Sequence, residues 1–519
     1  MNTWVALAEA KYTSFARYDP FHTVIIPILC WEVLLTLAMW GAWEFFRKWP
    51  TLALPGNLLF LMACLVPLGI ISVAILQLSP VNLIPLVRKP WFWSCGSLIA
   101  MVPFVFAIGR PASAARAVRG ILLWSWPLLA VIIVQGARHG LLKYPLSSYA
   151  DGALAPVFSN ETPRVRMMWI IFDELSQAIA FENRARDLKL PEFDRFVAES
   201  FHATAAHSPA DSTEHSMPEL ILGETTVATI RQGPDSLRFR TPSHSDSFSW
   251  AAAPNVFDDA RSLGLNTALV GWFLPYGREI NRSLTRCYWT AGWLQPGIEE
   301  PSDPQPVLAG MAIRARLQFA SLPLVGHLPG IVPWAYERQE KRKRFQYLLE
   351  HARLIVADPS IGLALIHLPI PHPPAIYNRF EARFSNVGAI SYLDNVALAD
   401  RTLGELRRAM EQAGVWDRTA VLVSADHGWR THLWRGGPGW TTADEAASHV
   451  DASGVPFLLK LPQQSNGLSY TEPFNTIVTR AIITEILTGR LSAPGAIPEA
   501  IERAGKNGQS AWAGDSRVN

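Results

Sequence analysis

Four apolar runs crowd the start of the chain, at about residues 23–46, 52–78, 91–109 and 120–136, and each is long enough to cross a ~30 Å hydrocarbon layer as a helix. From about residue 164 the sequence instead reads as a water-soluble globule. A chain of 519 residues also exceeds what one hydrophobic core usually serves. The expected organisation is therefore a membrane domain of about four transmembrane helices over 1–145, then a Pro-, Ser-, Ala- and Gly-rich linker over 146–164. A catalytic domain over 165–490 and a disordered tail over 491–519 would follow. Residues 1–20 carry Glu9, Lys11, Arg17 and Asp19 without a short apolar core, so the first run is expected to do the targeting. Four crossings put both termini on one side. The loop 110–119 holds Arg110, Arg116 and Arg119 and reads as cytoplasmic under the positive-inside rule, which places the large domain outside the cytoplasm. Arg88, Lys89, Arg138 and Lys143 count against that orientation.

Charge narrows the partners. A formal net charge of +2 gives no reason to expect nucleic acid. Of the four cysteines, Cys30, Cys64 and Cys95 fall in the apolar runs. Cys287 stands alone in the soluble part, which therefore has neither an internal disulfide nor a CxxC metal knuckle.

Residues 165–172, "VRMMWIIF", form a continuous apolar run suited to a strand buried on both faces. Further strands are expected at 268–270, 361–368, 420–424 and 456–461, with helical patterns at 257–263, 389–412 and 473–487. Strands alternating with helices imply an α/β sandwich with a mostly parallel sheet, helices on both faces and ligands at the carboxyl ends of the strands. Residues 318–334 resist this scheme. They are apolar but broken by prolines, and the basic run 338–344 follows closely. Such a segment suits either a membrane surface with anionic headgroups or a buried loop.

Two of the expected strands finish in charge. The first runs into Asp173 and Glu174, and the strand at 420–424 into Asp426, His427 and Gly428. In one parallel sheet these side chains emerge at the same edge. Three acids brought together call for a neutralising cation. Carboxylate oxygen with imidazole nitrogen suits Zn²⁺ or Mn²⁺ better than Ca²⁺ or Mg²⁺. Asp-His-Gly is also a common turn tripeptide. Between these strands Ser212 and Thr213 precede a helical stretch ending in Gly223. Their ordinary role is an N-cap. The same position attracts phosphate or sulfate, and a cation-bound hydroxyl becomes a nucleophile, so Thr213 is expected to be both cap and nucleophile.

In their order, Asp173-Glu174, the hydroxyl before a helix closing at Gly223, "ARSLGLNTALVGWF" at 260–273 and the segment 394–428 ending "SADHG" resemble the alkaline phosphatase/sulfatase superfamily over about 165–489. Sulfatases carry Cys or Ser in Cys/Ser-x-Pro-x-Arg, ten residues before the glycine. Here Thr213 holds that place, Pro218 is displaced and Met217 replaces the arginine. That departure argues against sulfate ester hydrolysis through formylglycine. Thr213, Ser216 and Pro218 instead resemble the Thr-x-x-Ser-x-Pro of membrane-bound phosphoethanolamine transferases, and His372, Pro374, Tyr377 and Arg379 resemble their His-x-Pro segment. Lipoteichoic acid synthases share the plan of a helical anchor with an external threonine enzyme. Transferases of the first kind usually have five membrane helices and several disulfides, against four and none expected here.

The resemblance implies an alkaline phosphatase-like domain with one divalent metal held by Asp173, Thr213, Asp426 and His427. Glu174 would be a ligand or the partner of one. Thr213 would attack a lipid donor, and His372 would hold the phosphate or protonate a leaving group. His432 and His449, after the Asp-His-Gly turn, are candidates for acid–base work, substrate contact or a second metal, while Arg430 and Arg379 are candidates for phosphate contacts. His367 is expected to pack at its strand end. Implied partners are a membrane lipid donor and an envelope glycan or lipid acceptor, at a bacterial inner membrane crossed several times. Two alternatives are a phosphatase, phosphodiesterase or sulfatase-like hydrolase on the same plan and an inactive envelope-assembly protein.

Overall fold

The computed structural model describes residues 152–158, 163–291 apart from 233–235 and 243, and 333–508 apart from 436, 438 and 452. It also describes scattered helical positions between 33 and 49 and Ser113. The four apolar runs and the segment 318–334 fall almost wholly outside these residues. Among the described residues no helix is long and apolar enough to cross a membrane.

The described residues from 163 to 508 are organised by one eight-stranded sheet. Its strands in chain order are β1 (Arg166–Phe172), β2 (Phe201–Ala203), β3 (Asn266–Phe273), β4 (Arg286–Ala291), β5 (Ile361–Leu368), β6 (Thr419–Ser424), β7 (Phe457–Lys460) and β8 (Leu468–Tyr470). Across the sheet they run β8-β2-β7-β6-β1-β5-β3-β4. β1, β3, β4, β5 and β6 are mutually parallel, whereas β7 runs antiparallel to both neighbours. Every residue of β1 is buried. Alternate side chains point to opposite faces, so both faces of the sheet are covered.

Two groups of helices supply the cover. α1 (Pro191–Val197), α5 (Pro333–Ala357) and α6 (Tyr392–Gln412) pack together, with α5 against β5 and β3. α2 (Thr213–Leu222), α3 (Val256–Ser262) and α7 (Thr479–Leu487) form the second group, with α3 against β3 and α7 against β1. Short α4 (Tyr276–Glu279) follows β3. α3 starts on a capping box, Asn255 with Asp258, which satisfies orphan amides of the first turn, and at the start of α6 Asp394 Oδ2 accepts the Ser391 N–H at 2.8 Å. At the edge where β1, β5 and β6 begin, the buried Arg166 donates to Ile361 O (3.1 Å), Thr419 Oγ1 (3.0 Å) and Asp358 O (2.8 Å). One guanidinium thus ties the three central strands together at the end away from their carboxyl termini.

Several features depart from the sequence reading. β2, β4 and β8 and the antiparallel sheet of Ala228–Gln232, Ser236–Thr241 and His244–Ser249 were not expected, because short and edge strands carry little hydrophobic pattern. The basic run 338–344 lies in α5, and two of its charges turn inward. Arg338 donates to Gly388 O at 2.9 Å, and Lys341 donates to the carbonyls of His372 and Pro374. Where a disordered tail was expected from residue 491, the helix Ile497–Gly508 buries Ile497, Ala500 and Ile501.

Asp400 joins α6 to α1 by accepting the Phe193 N–H at 2.7 Å. Burial pushes its carboxyl up to about 7, against the backbone hydrogen bonds that pull it down. The unfolded chain releases this proton near pH 4 and the folded chain near 7. The stabilisation is therefore present below about pH 4 and lost as pH rises to 7. Asp400→Asn keeps an acceptor oxygen and removes the buried charge. It is expected to match the wild type at pH 5 more closely than at pH 8, where it gains on the order of 2 kcal/mol. Denaturation midpoints at both pH values check this; an equal shift at the two would sink it.

Candidate active site

The carboxyl ends of β1, β5 and β6 meet at one edge. Ile171 lies level with Ser424 on one side and His367 on the other, so the residues that follow converge. Asp173, Glu174 and Asp426 are all fully buried. Glu174 has φ +71°, a left-handed conformation costing a bulky residue about 1–3 kcal/mol that tends to cluster at functional sites. It is held there from several directions. Its N–H donates to Asp426 Oδ1 at 3.1 Å, its Oε1 accepts the Arg430 N–H at 2.7 Å, and its carbonyl accepts the Tyr392 hydroxyl at 2.8 Å.

Thr213 reaches the cluster from α2. Ser212 is the N-cap and Thr213 the first helical residue, which corrects the expectation that Thr213 itself caps. Its hydroxyl is turned away from the helix and donates to Asp426 Oδ2 at 2.7 Å. Oγ1 also stands 3.4 Å from Asp173 Oδ2 and 3.4 Å from His427 Nε2. His427 Nε2 in turn lies 3.4 Å from Asp173 Oδ1 and 3.5 Å from Asp426 Oδ2.

These spacings fit a cation. Four donors around one ion at zinc's ~2.1 Å bond lengths stand roughly 3.4 Å apart at tetrahedral angles. Candidate ligand atoms of Asp173, Asp426 and His427 all lie within 4.8 Å of one another, as do those of Asp173, Glu174 and His372. Asp173 Oδ1 and Glu174 Oε2 are buried without a hydrogen-bond partner among the described residues. Burial, reinforced by the neighbouring Asp426, pushes Asp173 well above the usual carboxylate range, and burial pushes Glu174 up to about 8 against the pull of Arg430. A buried Asp/His cluster with idle oxygens and excess negative charge is the donor set a divalent metal takes.

The remaining candidates divide. His372 is buried at the cluster, its backbone N–H donating to Asp173 O at 3.0 Å and its ring against Trp272 at 5.2 Å. The Arg430 guanidinium is 3.8 Å from Glu174 Oε2. Arg379 is engaged elsewhere, 2.7 Å from Asp187 and 3.7 Å from Asp394. His432 is exposed on the turn Thr431–Trp434, and His449 is exposed beside Glu445 at 3.9 Å. Two residues were missed. His367, expected to pack passively, directs Nε2 at Asp173 Oδ2 (3.8 Å) and Asp426 Oδ2 (3.9 Å). Lys341 lies buried beneath the His372–Pro374 turn, and burial brings its ammonium down to about 7. A histidine one residue before the end of a wholly apolar strand was the available signal for the first. The second had none, because α5 is remote in sequence.

No family model and no curated protein matches the chain. Similar solved structures include the phosphonate monoester hydrolase of Agrobacterium radiobacter, at 14% identity over 62% of this chain and 74% of that one, with TM-score 0.39. The PsFucS1 sulfatase from Pseudoalteromonas sp. is similar at 14% identity over 63% and 68%, with TM-score 0.39. A protein in the alkaline phosphatase superfamily from Vibrio parahaemolyticus is similar at 11% identity over 66% and 72%, with TM-score 0.36. The last of these is described by the superfamily that the motifs resemble. At such TM-scores the likeness carries no weight of its own, and the chemistry is read from the site.

The full chain purified with Zn²⁺ or Mn²⁺ is expected to hold about one tightly bound equivalent, and Asp426→Ala to hold less than roughly a tenth of that. Elemental analysis after gel filtration decides. An unchanged content in the variant would mean that the cluster is not the metal centre.

Proposed function

We propose that the chain is a divalent-metal-dependent enzyme that cleaves phosphate esters through Thr213. The observation that supports this most is the 2.7 Å contact from Thr213 Oγ1 to Asp426 Oδ2, within a ring of ligand-type atoms. Asp173, Asp426, His427 and Thr213 would hold the cation, Zn²⁺ or Mn²⁺ by their mixed oxygen and nitrogen character. Bound there, it would lower the pKa of the threonine hydroxyl and neutralise charge on the phosphoryl oxygens.

The protein's own residues handle the protons of the nucleophile and of the acceptor. Thr213 Oγ1 attacks phosphorus in line, its proton passing to Asp426 Oδ2. The bond from phosphorus to the leaving oxygen breaks, and the leaving alkoxide takes a proton from solvent as the free alcohol; the proton that His372 gains in the second half returns to solvent, so the cycle balances. A phosphothreonine ester remains. His372 Nδ1 faces Pro373 O at 2.8 Å, so that nitrogen carries the ring proton and Nε2, which keeps its lone pair, accepts one from the incoming acceptor. The acceptor oxygen then displaces Thr213, which recovers its proton from Asp426. Arg430, fixed by Glu174, lies close enough to pair with a phosphoryl oxygen.

With water as acceptor the enzyme is a hydrolase. The second reading, a membrane-anchored transferase moving phosphoethanolamine or phosphoglycerol from a lipid to an envelope glycan or lipid, is favoured by the apolar runs at 23–136, which would keep the site near a bilayer. It carries with it a bacterial inner-membrane location with the domain outside the cytoplasm.

Incubation with an aryl phosphodiester is expected to place one phosphoryl-containing adduct on the Thr213 peptide by mass spectrometry. Thr213→Ala should lose the adduct and at least about 10³ in kcat. Turnover without adduct would remove Thr213 as nucleophile. With labelled phosphatidylethanolamine, diacylglycerol released only when an acceptor alcohol is present marks the transferase, and release into water alone marks the hydrolase.

A further inference from the structure

Three imidazoles face the carboxylate cluster, and their Nδ1 atoms meet different partners. His427 Nδ1 lies 2.9 Å from Gly428 O, and His372 Nδ1 lies 2.8 Å from Pro373 O. A carbonyl only accepts, so both neutral rings carry their proton on Nδ1 and keep a lone pair on Nε2. His367 differs. Its Nδ1 lies 3.0 Å from the Tyr276 hydroxyl, which can donate as well as accept.

Tyr276 is fully buried, and among the described residues its hydroxyl has one hydrogen-bond partner, His367. Were the hydroxyl to accept from Nδ1–H, its own proton would be a buried donor with nowhere to go, an arrangement that folded proteins avoid. Donation from the hydroxyl to Nδ1 gives the hydroxyl proton a partner and moves the unpartnered proton to Nε2, where it faces two carboxylate oxygens and not the apolar surroundings of the tyrosine. The ring proton of His367 then sits on Nε2, the atom 3.8 Å from Asp173 Oδ2 and 3.9 Å from Asp426 Oδ2. That nitrogen has no hydrogen-bond partner of its own among the described residues.

The fold makes room for this contact. Gly271 sits within β3, and a Cβ there would stand 2.7 Å from Tyr276 Cε2 and 2.9 Å from its Cδ2. Glycine weakens a strand interior, and its presence is accounted for where another group must approach the backbone closely. The Tyr276 ring also packs on Trp250 at 5.7 Å. The short helix that carries it is anchored by Glu279, which accepts the N–H groups of Leu237 (2.6 Å) and Ala251 (2.9 Å).

We infer that Tyr276 fixes the tautomer of His367 and so turns a neutral ring's Nε2–H, as a dipole 3.8–3.9 Å away, toward the Asp173 and Asp426 carboxylates, which makes His367 a positioning group and not a metal ligand. This rests on the metal-site reading above. His427 is then the imidazole that binds the cation held by the two aspartates, and Tyr276 and His367 are positioning residues that act through those carboxylates.

The test uses the full chain labelled with ¹⁵N-histidine, with signals assigned by substitution. In the metal-free protein His367 is expected to show the proton on Nε2, and in Tyr276→Phe to lose that preference. After loading with ¹¹³Cd²⁺, one-bond coupling is expected to His427 Nε2 and not to His367. Zn²⁺ affinity should fall at least tenfold in His427→Gln but stay within about threefold in His367→Gln, whose amide keeps a donor. His367→Ala should lose more kcat than His367→Gln. A proton on Nδ1 of His367, cadmium coupling to its Nε2, or equal loss of Zn²⁺ affinity in the two Gln variants overturns the inference. A wild-type chain that binds no cation defeats the functional reading instead, and the metal-free tautomer still decides this one.

Discussion

The soluble part of the chain is arranged around a repulsion. Asp173, Glu174 and Asp426 are buried together at one sheet edge, where two carboxylates ~4 Å apart repel by about 4 kcal/mol even at an effective dielectric of 20. Water cannot screen them there. The chain answers with the Arg430 amide and guanidinium on Glu174, backbone N–H groups on Asp426 and the Thr213 hydroxyl. What remains uncompensated falls on Asp173, which burial and Asp426 push toward holding a proton. A cation entering the cluster takes over that proton's role, so metal uptake and proton release are coupled at this one carboxylate.

Parallel pairing is what makes such a concentration of charge attainable. β1, β5 and β6 run the same way in register, and the apolar side chains of their middle residues fill both faces of the sheet. Polar groups gather at their carboxyl ends: Asp173 and Glu174 follow β1, Asp426 and His427 follow β6, and His367 lies level with Ile171 and Ser424 near the end of β5. Arg166 fastens their starting ends to each other. Slippage of one strand by a single residue would turn its apolar set to the other face, a cost the core does not permit. The metal-type spacings therefore depend on hydrophobic packing well removed from any charge.

What the sequence disclosed follows from this division. β1, β5 and β6 were legible because central parallel strands are continuous apolar runs, and Asp173, Glu174, Asp426 and His427 because charge at the end of such a run is conspicuous. β2, β4 and β8 were hidden because short strands near the sheet's edges need little apolar pattern. α5 was hidden because Arg338 and Lys341 point inward and break its periodicity. Within the site, Thr213 was legible from its place before a helix, although its role there as a cap was not right. His367 and Tyr276 were illegible because their meaning lies in a contact between β5 and the turn after β3, 91 residues apart. Arg379 misled because proximity in sequence to His372 says nothing of direction, and the fold aims it at Asp187 and Asp394.

The start of α2 shows which demand the fold puts first. Ser212 is the N-cap, yet its side chain makes no capping bond and its Oγ instead meets His215 Nδ1 at 2.8 Å. Thr213, next in line, gives its hydroxyl to Asp426. Both hydroxyls that stand ready to stabilise the helix are used elsewhere, forgoing about 1 kcal/mol. A β-branched side chain at this position has few rotamers open to it. Threonine thus holds its oxygen on the aspartate with little loss of freedom, and the same anchoring brings it within 3.4 Å of Asp173 and His427. A helix that gives up its cap to fix one hydroxyl among buried acids puts the position of that oxygen ahead of its own stability.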